Sequence, residues 1–265
     1  MKATSKSITL KVERAEAQAA NLKDEISRWT EVQSDSIYRD LQDGGREHVY
    51  RVGKPKPFND EWLVVIGEIL YDLRSALDHL AHAIVPQPSR KTEFPIFLQE
   101  GGFRTQAPAK LPGLQQDKSD AWGIIEELQP YRGEKRNRDP ETDPLWVLHE
   151  LNNIDKHRLL VTVGSQMRSF DVGAHLAPLV KDEPGWGDAI IPSLFLRPAD
   201  PMFPLEAGDE LFIDAPDAEP NKKMQFRFDV ALSEPQVLEG EPILEALHQM
   251  VDLTDNLIPT FAPLL

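Results

Sequence analysis

The spacing of apolar residues changes near residue 160, and this change constrains the fold more than any other feature. Before it, apolar residues recur every three or four positions, as they do in amphipathic helices. Beyond it, Phe226, Phe228 and Val230 alternate strictly with polar residues, which predicts a half-buried strand. A last helical pattern follows Pro242. We therefore predict an α+β fold: a helical bundle, an antiparallel β-sheet in the C-terminal part and a closing C-terminal helix.

The first helical pattern is a narrow apolar seam whose members are spaced alternately four and three residues apart. Its members are Ile8, Val12, Ala15, Ala19, Leu22, Ile26 and Trp29. Such a seam packs either within one chain or against a second copy, so a homodimer is one prediction. After the seam, residues 37–41 and 47–52 flank a Gly-rich turn and predict a hairpin.

We expect residues 1–265 to form a single α+β domain. Its helical part covers about residues 1–160 and 240–260, and its strand-rich acidic part covers about residues 160–238. Weaker strand candidates lie at 159–163, 190–196 and 210–214. Residues 86–117 are rich in Pro and Gly, and only residues 94–98 look strand-like there.

Composition excludes several classes of protein. The chain has no cysteine, so it forms no disulfide and no thiolate metal site. It shows no signal-peptide pattern at its start and no apolar run of about 18 residues, which predicts a cytoplasmic protein outside the membrane. The net charge of −15 is uneven, because residues 166–265 carry 6 basic and 18 acidic residues. That part would repel a phosphate backbone.

Motifs for two common kinds of chemistry are missing from the sequence. The glycine pairs at 44–45 and 101–102 lack the flanking pattern of a P-loop or a dinucleotide site. The sequence also contains no Gly-x-Ser-x-Gly nucleophile turn. Nucleotide-dependent and serine-hydrolase chemistry are therefore disfavoured, and no cofactor is expected.

The predicted helix at residues 61–85 has one apolar face and one unusual polar face. An ordinary solvent-facing surface would be rich in Lys and Glu, whereas this face has only Glu68 and no Lys. Instead, it carries Tyr71, Arg74, Ser75, Asp78, His79 and His82. Asp78 lies one turn from both Arg74 and His82, so an intrahelical ion pair is expected.

A second predicted helix, at about residues 143–160, has leucines in nearly every direction and is expected to be buried on most sides. His149, Asn153 and His157 nevertheless stack on one of its faces, with Lys156 nearby. Buried polar groups need partners, and those on the first polar helix are the obvious ones. These groups either form a functional site or only satisfy one another and fix the register of the two helices.

Four segments resemble a family of uncharacterised bacterial proteins. They are residues 66–70 (IGEIL), 73–80 (LRSALDHL), 94–97 (FPIF) and 148–158 (LHELNNIDKHR). The resemblance covers most of the chain and implies no function.

A further resemblance concerns Arg74 and His79, which are separated by four residues on a predicted helix. This spacing resembles the Arg-x4–6-His motif of HEPN domains, helical bundles of which many cleave RNA without a metal at a dimer interface. The resemblance implies RNA as a partner, with His79 as the acid or base and Arg74 as the phosphate clamp. Asp78 joins this catalytic set. The predicted substrate-binding residues are Tyr71, His82, His149, Asn153, Lys156 and His157.

Two alternatives remain open. In the first, His79, His82, His149 and His157, together with Asp78 or Glu150, supply the ligands of a metal-dependent hydrolase. In the second, the chain is a non-enzymatic binding or regulatory protein of a defence or stress system, and the strands and acidic C-terminal part form its binding surface.

Overall fold

Contacts divide the chain into two compact units, which are described separately. Unit 1 comprises residues 1–23, 59–162 and 234–265, and unit 2 comprises residues 24–58 and 163–233. Within them, the computed structural model describes residues 3–34, 36–42, 44, 47–54, 56–136, 138–157, 163–171, 195–198, 202–213, 225–234 and 237–265. The organisation as a single domain stays a prediction.

Helices account for most of unit 1, in agreement with the predicted α+β fold. The helices are α1 Ala3–Ser34, α2 Glu61–Ile84, α3 Glu100–Lys110, α4 Leu114–Asp117, α5 Ser119–Glu127, α6 Pro144–His157 and α7 Ile243–Phe261. Short 3-10 helices span Pro130–Arg136, Pro140–Thr142 and Ala262–Leu264. The first part of α1 belongs to unit 1 and its last turns belong to unit 2.

The core of unit 1 forms around α2, which contacts both α6 and α7. Its apolar positions, such as Ile66, Leu73 and Leu80, are almost completely buried. The helix predicted at 61–85 is therefore confirmed to within one residue. The helix predicted at 143–160 is confirmed over Pro144–His157, and residues 158–160 lie outside the described residues. Asp143 begins α6 by accepting a hydrogen bond from the N–H of Leu145 at 3.0 Å.

The apolar seam of α1 is buried within the chain. Ile8, Val12, Ala15, Leu22 and Ile26 are each no more than 3% exposed. Of the two packing arrangements left open by the sequence, the structure thus shows packing within one chain. The seam is not available as a dimer interface, and the homodimer stays a prediction without its support.

The segment between α2 and α5 differs most from expectation, because its Pro and Gly content predicted a loop. The structure places α3 there, with Gly101 and Gly102 in its first turn and Pro108 near its end. Phe103 and Ala107 of this helix are fully buried, so packing outweighs poor helix propensity. The strand-like character predicted for residues 94–98 is not confirmed, because the structure places these residues in neither a strand nor a helix.

The described residues of unit 2 form two antiparallel three-stranded sheets. Their strands are β1 Ile37–Gln42, β2 Glu47–Val52, β3 Val163–Asp171, β4 Phe195–Leu196, β5 Glu210–Ile213 and β6 Phe226–Leu232. The strand orders are β1-β2-β5 and β4-β3-β6. The predicted hairpin and the alternating strand near 226–232 are confirmed. The hairpin additionally pairs with β5, so strands from both parts of the sequence share one sheet.

The other strand candidates are found only in part among the described residues. The candidate at 159–163 has its last residue at the start of β3, and residues 159–162 lie outside the described residues. The candidate at 190–196 contains β4, and that at 210–214 contains β5. The core of unit 2 is formed by side chains such as Tyr50, Met167 and Phe228.

No helix among the described residues combines the length and the apolar character needed to cross a membrane.

Candidate functional site

Residues 94–97, which lie outside any helix or strand, are held at their start by two side chains of the polar face of α2. Arg74 Nη2 donates to the backbone oxygen of Phe94 and to Asp78 Oδ1, both at 2.9 Å. The N–H of Phe94 donates to the same Asp78 Oδ1 at 2.9 Å. Burial raises the pKa of Asp78, while the Arg74 charge and the Phe94 N–H act to lower it. The expected ion pair between Arg74 and Asp78 is therefore present and also fixes a backbone segment.

The same segment is held farther along by Gln129, which follows α5 and is fully buried. Its Nε2 donates to the backbone oxygens of Pro95 at 2.9 Å and Ile125 at 3.0 Å. Its Oε1 accepts from the N–H of Phe97 at 3.0 Å. Side chains thus supply hydrogen bonds to the backbone of residues 94–97 that a neighbouring strand would supply in a sheet.

This segment forms one wall of a cavity of about 420 Å³ in unit 1. The wall is mostly apolar and aromatic, with a few polar side chains, as is typical of small-molecule sites. The residues that line it are Arg74, Phe94, Ile96, Phe97, Leu98, Gln99, Gly102, Gln106, Lys110, Trp146 and His149. They come from α2, residues 94–99, α3 and α6.

Arg74 brings hydrogen-bond donors without partners to this cavity. The residue is only 6% exposed. Its Nη2 is occupied by Phe94 and Asp78, whereas its buried Nη1 has no hydrogen-bond partner among the described residues. A buried guanidinium nitrogen without a partner is costly, which calls for a group that completes it.

His149 brings a second such atom. Asn153 Nδ2 donates to His149 Nε2 at 3.2 Å, so the neutral ring carries its proton on Nδ1. That Nδ1 is buried and has no partner in the described part of the chain. Burial, followed by the charges of Arg74 and Lys110, lowers the pKa of His149 to about 4. The ring is therefore neutral near pH 7 and carries a buried N–H on Nδ1.

Lys110 and Glu93 form an ion pair beside the cavity. Burial acts to raise the pKa of Glu93, but the hydrogen bond and charge of Lys110 outweigh it and lower that pKa. Lys110 Nζ also lies 5.8 Å from the ring centre of Phe97. Polar and aromatic groups are therefore adjacent in the cavity wall.

Tyr71, Lys156 and His79 make their contacts on another part of the α2 surface. The Tyr71 ring is 51% exposed, with Lys11 Nζ at 5.1 Å and Lys156 Nζ at 5.3 Å from its centre. His79 Nδ1 lies 3.0 Å from Ser7 Oγ of α1. Burial and then the Lys11 charge lower the pKa of His79. Arg74 therefore bonds the backbone of Phe94, whereas His79 contacts Ser7 of α1.

The remaining candidates lie on exposed surface. His82 is exposed on α2, and His157 is exposed at the end of α6. Among the residues that the structure describes, no three His, Asp or Glu side chains converge as a metal site would require. The metal-hydrolase alternative therefore gains no geometric support from those residues.

Sequence reasoning found Arg74, Asp78, His149 and Asn153, but it missed the side chains that complete the cavity. Lys110 and Gln106 were overlooked because α3 was taken for a loop. Nothing in the sequence indicated a structural role for Gln129, since an isolated glutamine before a proline is ordinary in a loop. Its burial depends on contacts with residues more than thirty positions away.

Comparison with known proteins gives no family for this chain, since no family model, curated protein or solved structure matches it. The resemblances drawn from the motifs therefore stay predictions. The functional argument depends on the site alone.

Proposed function

We propose that this chain is a ligand-binding protein whose cavity takes up a small organic molecule with a hydrogen-bond-accepting group on an aromatic or aliphatic body. One observation carries the proposal. Arg74 Nη1 and His149 Nδ1 are buried donors without partners among the described residues, and both side chains line the same apolar cavity. A ligand oxygen would satisfy both donors, and the aromatic walls would cover the rest of the ligand.

The volume supports a small ligand. A cavity of about 420 Å³ lies within the usual range of about 300–1,000 Å³ for such sites. The segment 94–97 is rigidly bonded to α2 and Gln129, so this wall is formed before a ligand arrives. A pre-formed wall reduces the entropy lost on binding.

The test is ligand-detected saturation-transfer NMR with four probes: phenylacetate, phenylacetamide, phenyl phosphate and the acceptor-free benzylammonium ion. Gln106→Trp fills the cavity from an exposed position of α3, and Arg104→Trp is the matched control at an exposed position on the opposite face of the same helix. At least one acceptor-bearing probe should bind the unmodified chain and Arg104→Trp, but not Gln106→Trp. Absence of binding by every probe, or binding that survives Gln106→Trp, would contradict the proposal.

A second candidate function is RNA binding, with metal-free cleavage by Arg74 and His79 as its enzymatic form. The observation that favours it is the exposed Tyr71 ring between the ammonium groups of Lys11 and Lys156. Unpaired bases stack on exposed aromatic rings, and neighbouring cations attract the phosphates. This face contains the predicted substrate-binding residues Tyr71 and Lys156.

RNA binding is tested by fluorescence anisotropy with a labelled single-stranded RNA pool. Tyr71→Ala should weaken binding about tenfold, because stacking of a base is worth about 1–3 kcal/mol. Tyr38→Ala, at a tyrosine that is 47% exposed on β1, is the control. If both variants weakened RNA binding equally, Tyr71 would have no specific role in it.

Cleavage is tested with the same RNA pool, with and without EDTA. The HEPN-like hypothesis expects products that persist in EDTA and disappear in His79→Ala. Products that disappear with EDTA would instead support metal-dependent chemistry.

A further inference from the structure

We infer that the ligand of this cavity is an ionised aromatic carboxylate, whose two oxygens accept hydrogen bonds from Arg74 Nη1 and His149 Nδ1. This inference rests on the proposed binding function and adds the charge and the shape of the ligand to it. Neutral acceptors such as amides, and larger anions such as phosphate esters, are the competing ligand classes.

Two buried donors on residues that line the cavity indicate the kind of acceptor. Arg74 Nη1 and the protonated Nδ1 of His149 are both donors, and neither has a partner in the described residues. An ionised carboxylate has two oxygens that only accept, so it can pair with both donors at once. A phosphate monoester would bring a third oxygen, beyond the two that Arg74 Nη1 and His149 Nδ1 can pair with.

The surrounding charges favour an anion at the imidazole. Arg74 on α2, Lys110 on α3 and Lys156 on α6 act on His149 as cations, while Glu93 acts against them. Glu150 Oε1 on α6 lies 4.0 Å from His149 Nε2. This is the ring nitrogen that already accepts a hydrogen bond from Asn153. Arg74 and Lys110 act on the ring more strongly than Glu93 does, although Arg74 also pairs with Asp78 and Lys110 with Glu93, so a ligand carboxylate would share these cations with them.

The walls specify the body of the ligand. Trp146 and Phe97 are half-buried aromatic side chains that line the cavity, with Ile96 and Leu98 beside them. Flat rings pack well against such walls, and aromatic pairs gain energy beyond the area that they bury. A carboxylate joined to one aromatic ring therefore matches both the donors and the walls.

Binding requires the side chains that cover Arg74 Nη1 and His149 Nδ1 to move, since both donor atoms are closed off from water. The indole of Trp146 lies against the His149 ring, with 5.7 Å between ring centres. A ligand that reaches His149 therefore changes the surroundings of Trp146, and the tryptophan fluorescence of the full chain should report binding. If the fluorescence change on binding disappears in the Trp146→Phe variant, the change comes from Trp146.

The experiment measures the affinity of the full chain for phenylacetate, phenylacetamide and phenyl phosphate by isothermal titration calorimetry near pH 7. The carboxylate should bind at least about tenfold more tightly than the neutral amide, because hydrogen bonds between charged groups are stronger. His149→Phe should remove about tenfold of the phenylacetate affinity, whereas His248→Phe, at an exposed histidine on α7, should leave it unchanged. His149→Asn keeps a side-chain N–H near the Nδ1 position and should retain most of the affinity.

Each outcome decides between the classes. Equal or tighter binding of the amide, or tighter binding of the phosphate ester, would overturn the carboxylate assignment and leave the binding function standing. Absence of binding by all three would contradict the binding function itself. Undiminished phenylacetate affinity in His149→Phe would overturn the role of His149. The comparison of the three probes on the unmodified chain stays decisive if a variant does not fold.

Discussion

Gln129 shapes the cavity although it does not line it. The side chain is completely buried and bonds the backbone of residues 94–97 at Pro95 and Phe97. The bond to Pro95 is buried and the bond to Phe97 is partly buried, so both backbone groups rely on this one residue for a protein partner. The position of a cavity wall therefore depends on the length and polarity of one amide side chain.

Gln129→Leu should lower the free energy of unfolding by about 2–4 kcal/mol. Leucine is similar in size, but it leaves the N–H of Phe97 and the oxygen of Pro95 without partners. Urea unfolding followed by circular dichroism measures the change. Gln115→Leu, at an exposed glutamine of α4, should stay within about 0.5 kcal/mol, and equal losses in both variants would refute the argument.

The lowered pKa of His149 predicts a loss of stability in mild acid. Its pKa falls from 6.5 to about 4 in the folded protein, chiefly because of burial. Between these values the unfolded chain binds the proton more readily, so the free energy of unfolding falls as the pH drops from 6.5 towards 4. The loss attributable to this group is at most about 3 kcal/mol.

Urea unfolding at pH 7 and at pH 4.5 measures this dependence. The difference in unfolding free energy between the two pH values should shrink in His149→Phe. His248→Phe should keep the difference seen in the unmodified chain. An unchanged pH dependence in His149→Phe would show that the histidine is not buried in its neutral form.

Helices α2 and α6 approach closely where Gly67 faces Asp155. A methyl group at residue 67 would lie 2.5 Å from Asp155 Oδ1, far inside van der Waals contact. Burial raises the pKa of Asp155, which fits a carboxyl group pressed against a helix. The two helices that carry Arg74 and His149 therefore meet at residue 67, where an added methyl group would displace the Asp155 carboxyl group.

Gly67→Ala should lower the free energy of unfolding by about 1–3 kcal/mol, because the added methyl group overpacks the interface. The matched control is Gly123→Ala on α5, where nothing lies within 4 Å of the added methyl group. There alanine should stabilise by about 0.5–1 kcal/mol through helix propensity. Thermal and urea unfolding compare the two, and a stabilised Gly67→Ala variant would contradict the close approach.

Periodicity predicted the elements well where packing and local preference agree. The split faces of α2 and the alternation around Phe228 both correspond to observed elements. It failed at α3, whose glycines and proline disfavour a helix and whose buried Phe103 and Ala107 stabilise it. Local preference cannot report contacts with distant residues, and α3 depends on those contacts.

At the scale of the whole molecule, the net charge of −15 opposes compaction. Added salt screens repulsion between like charges over distances beyond about 10 Å. Raising sodium chloride from 20 to 300 mM should therefore raise the midpoint of thermal unfolding. A lower midpoint in salt would indicate that exposed ion pairs, such as Arg104–Glu100, outweigh the general repulsion.

Long-range pairing was the part of the architecture that sequence could not supply. The hairpin of β1 and β2 was predicted, but its partner β5 begins more than 150 residues later. Arg51 bonds Glu210 and the backbone oxygen of Gly208 across this distance. The cavity is similar, because it combines residues from four separated segments, only two of which carried a polar pattern.

Side-chain hydrogen bonds hold residues 94–97 in place, and this affects how the protein can evolve. A strand inside a sheet has its path fixed by backbone pairing, whereas this wall is positioned by Arg74, Asp78 and Gln129. Substitutions at Gln129 can shift the wall without introducing any group that touches a ligand. Libraries that seek new ligand preferences should therefore randomise Gln129 and its neighbour Ile125 along with the residues that face the cavity.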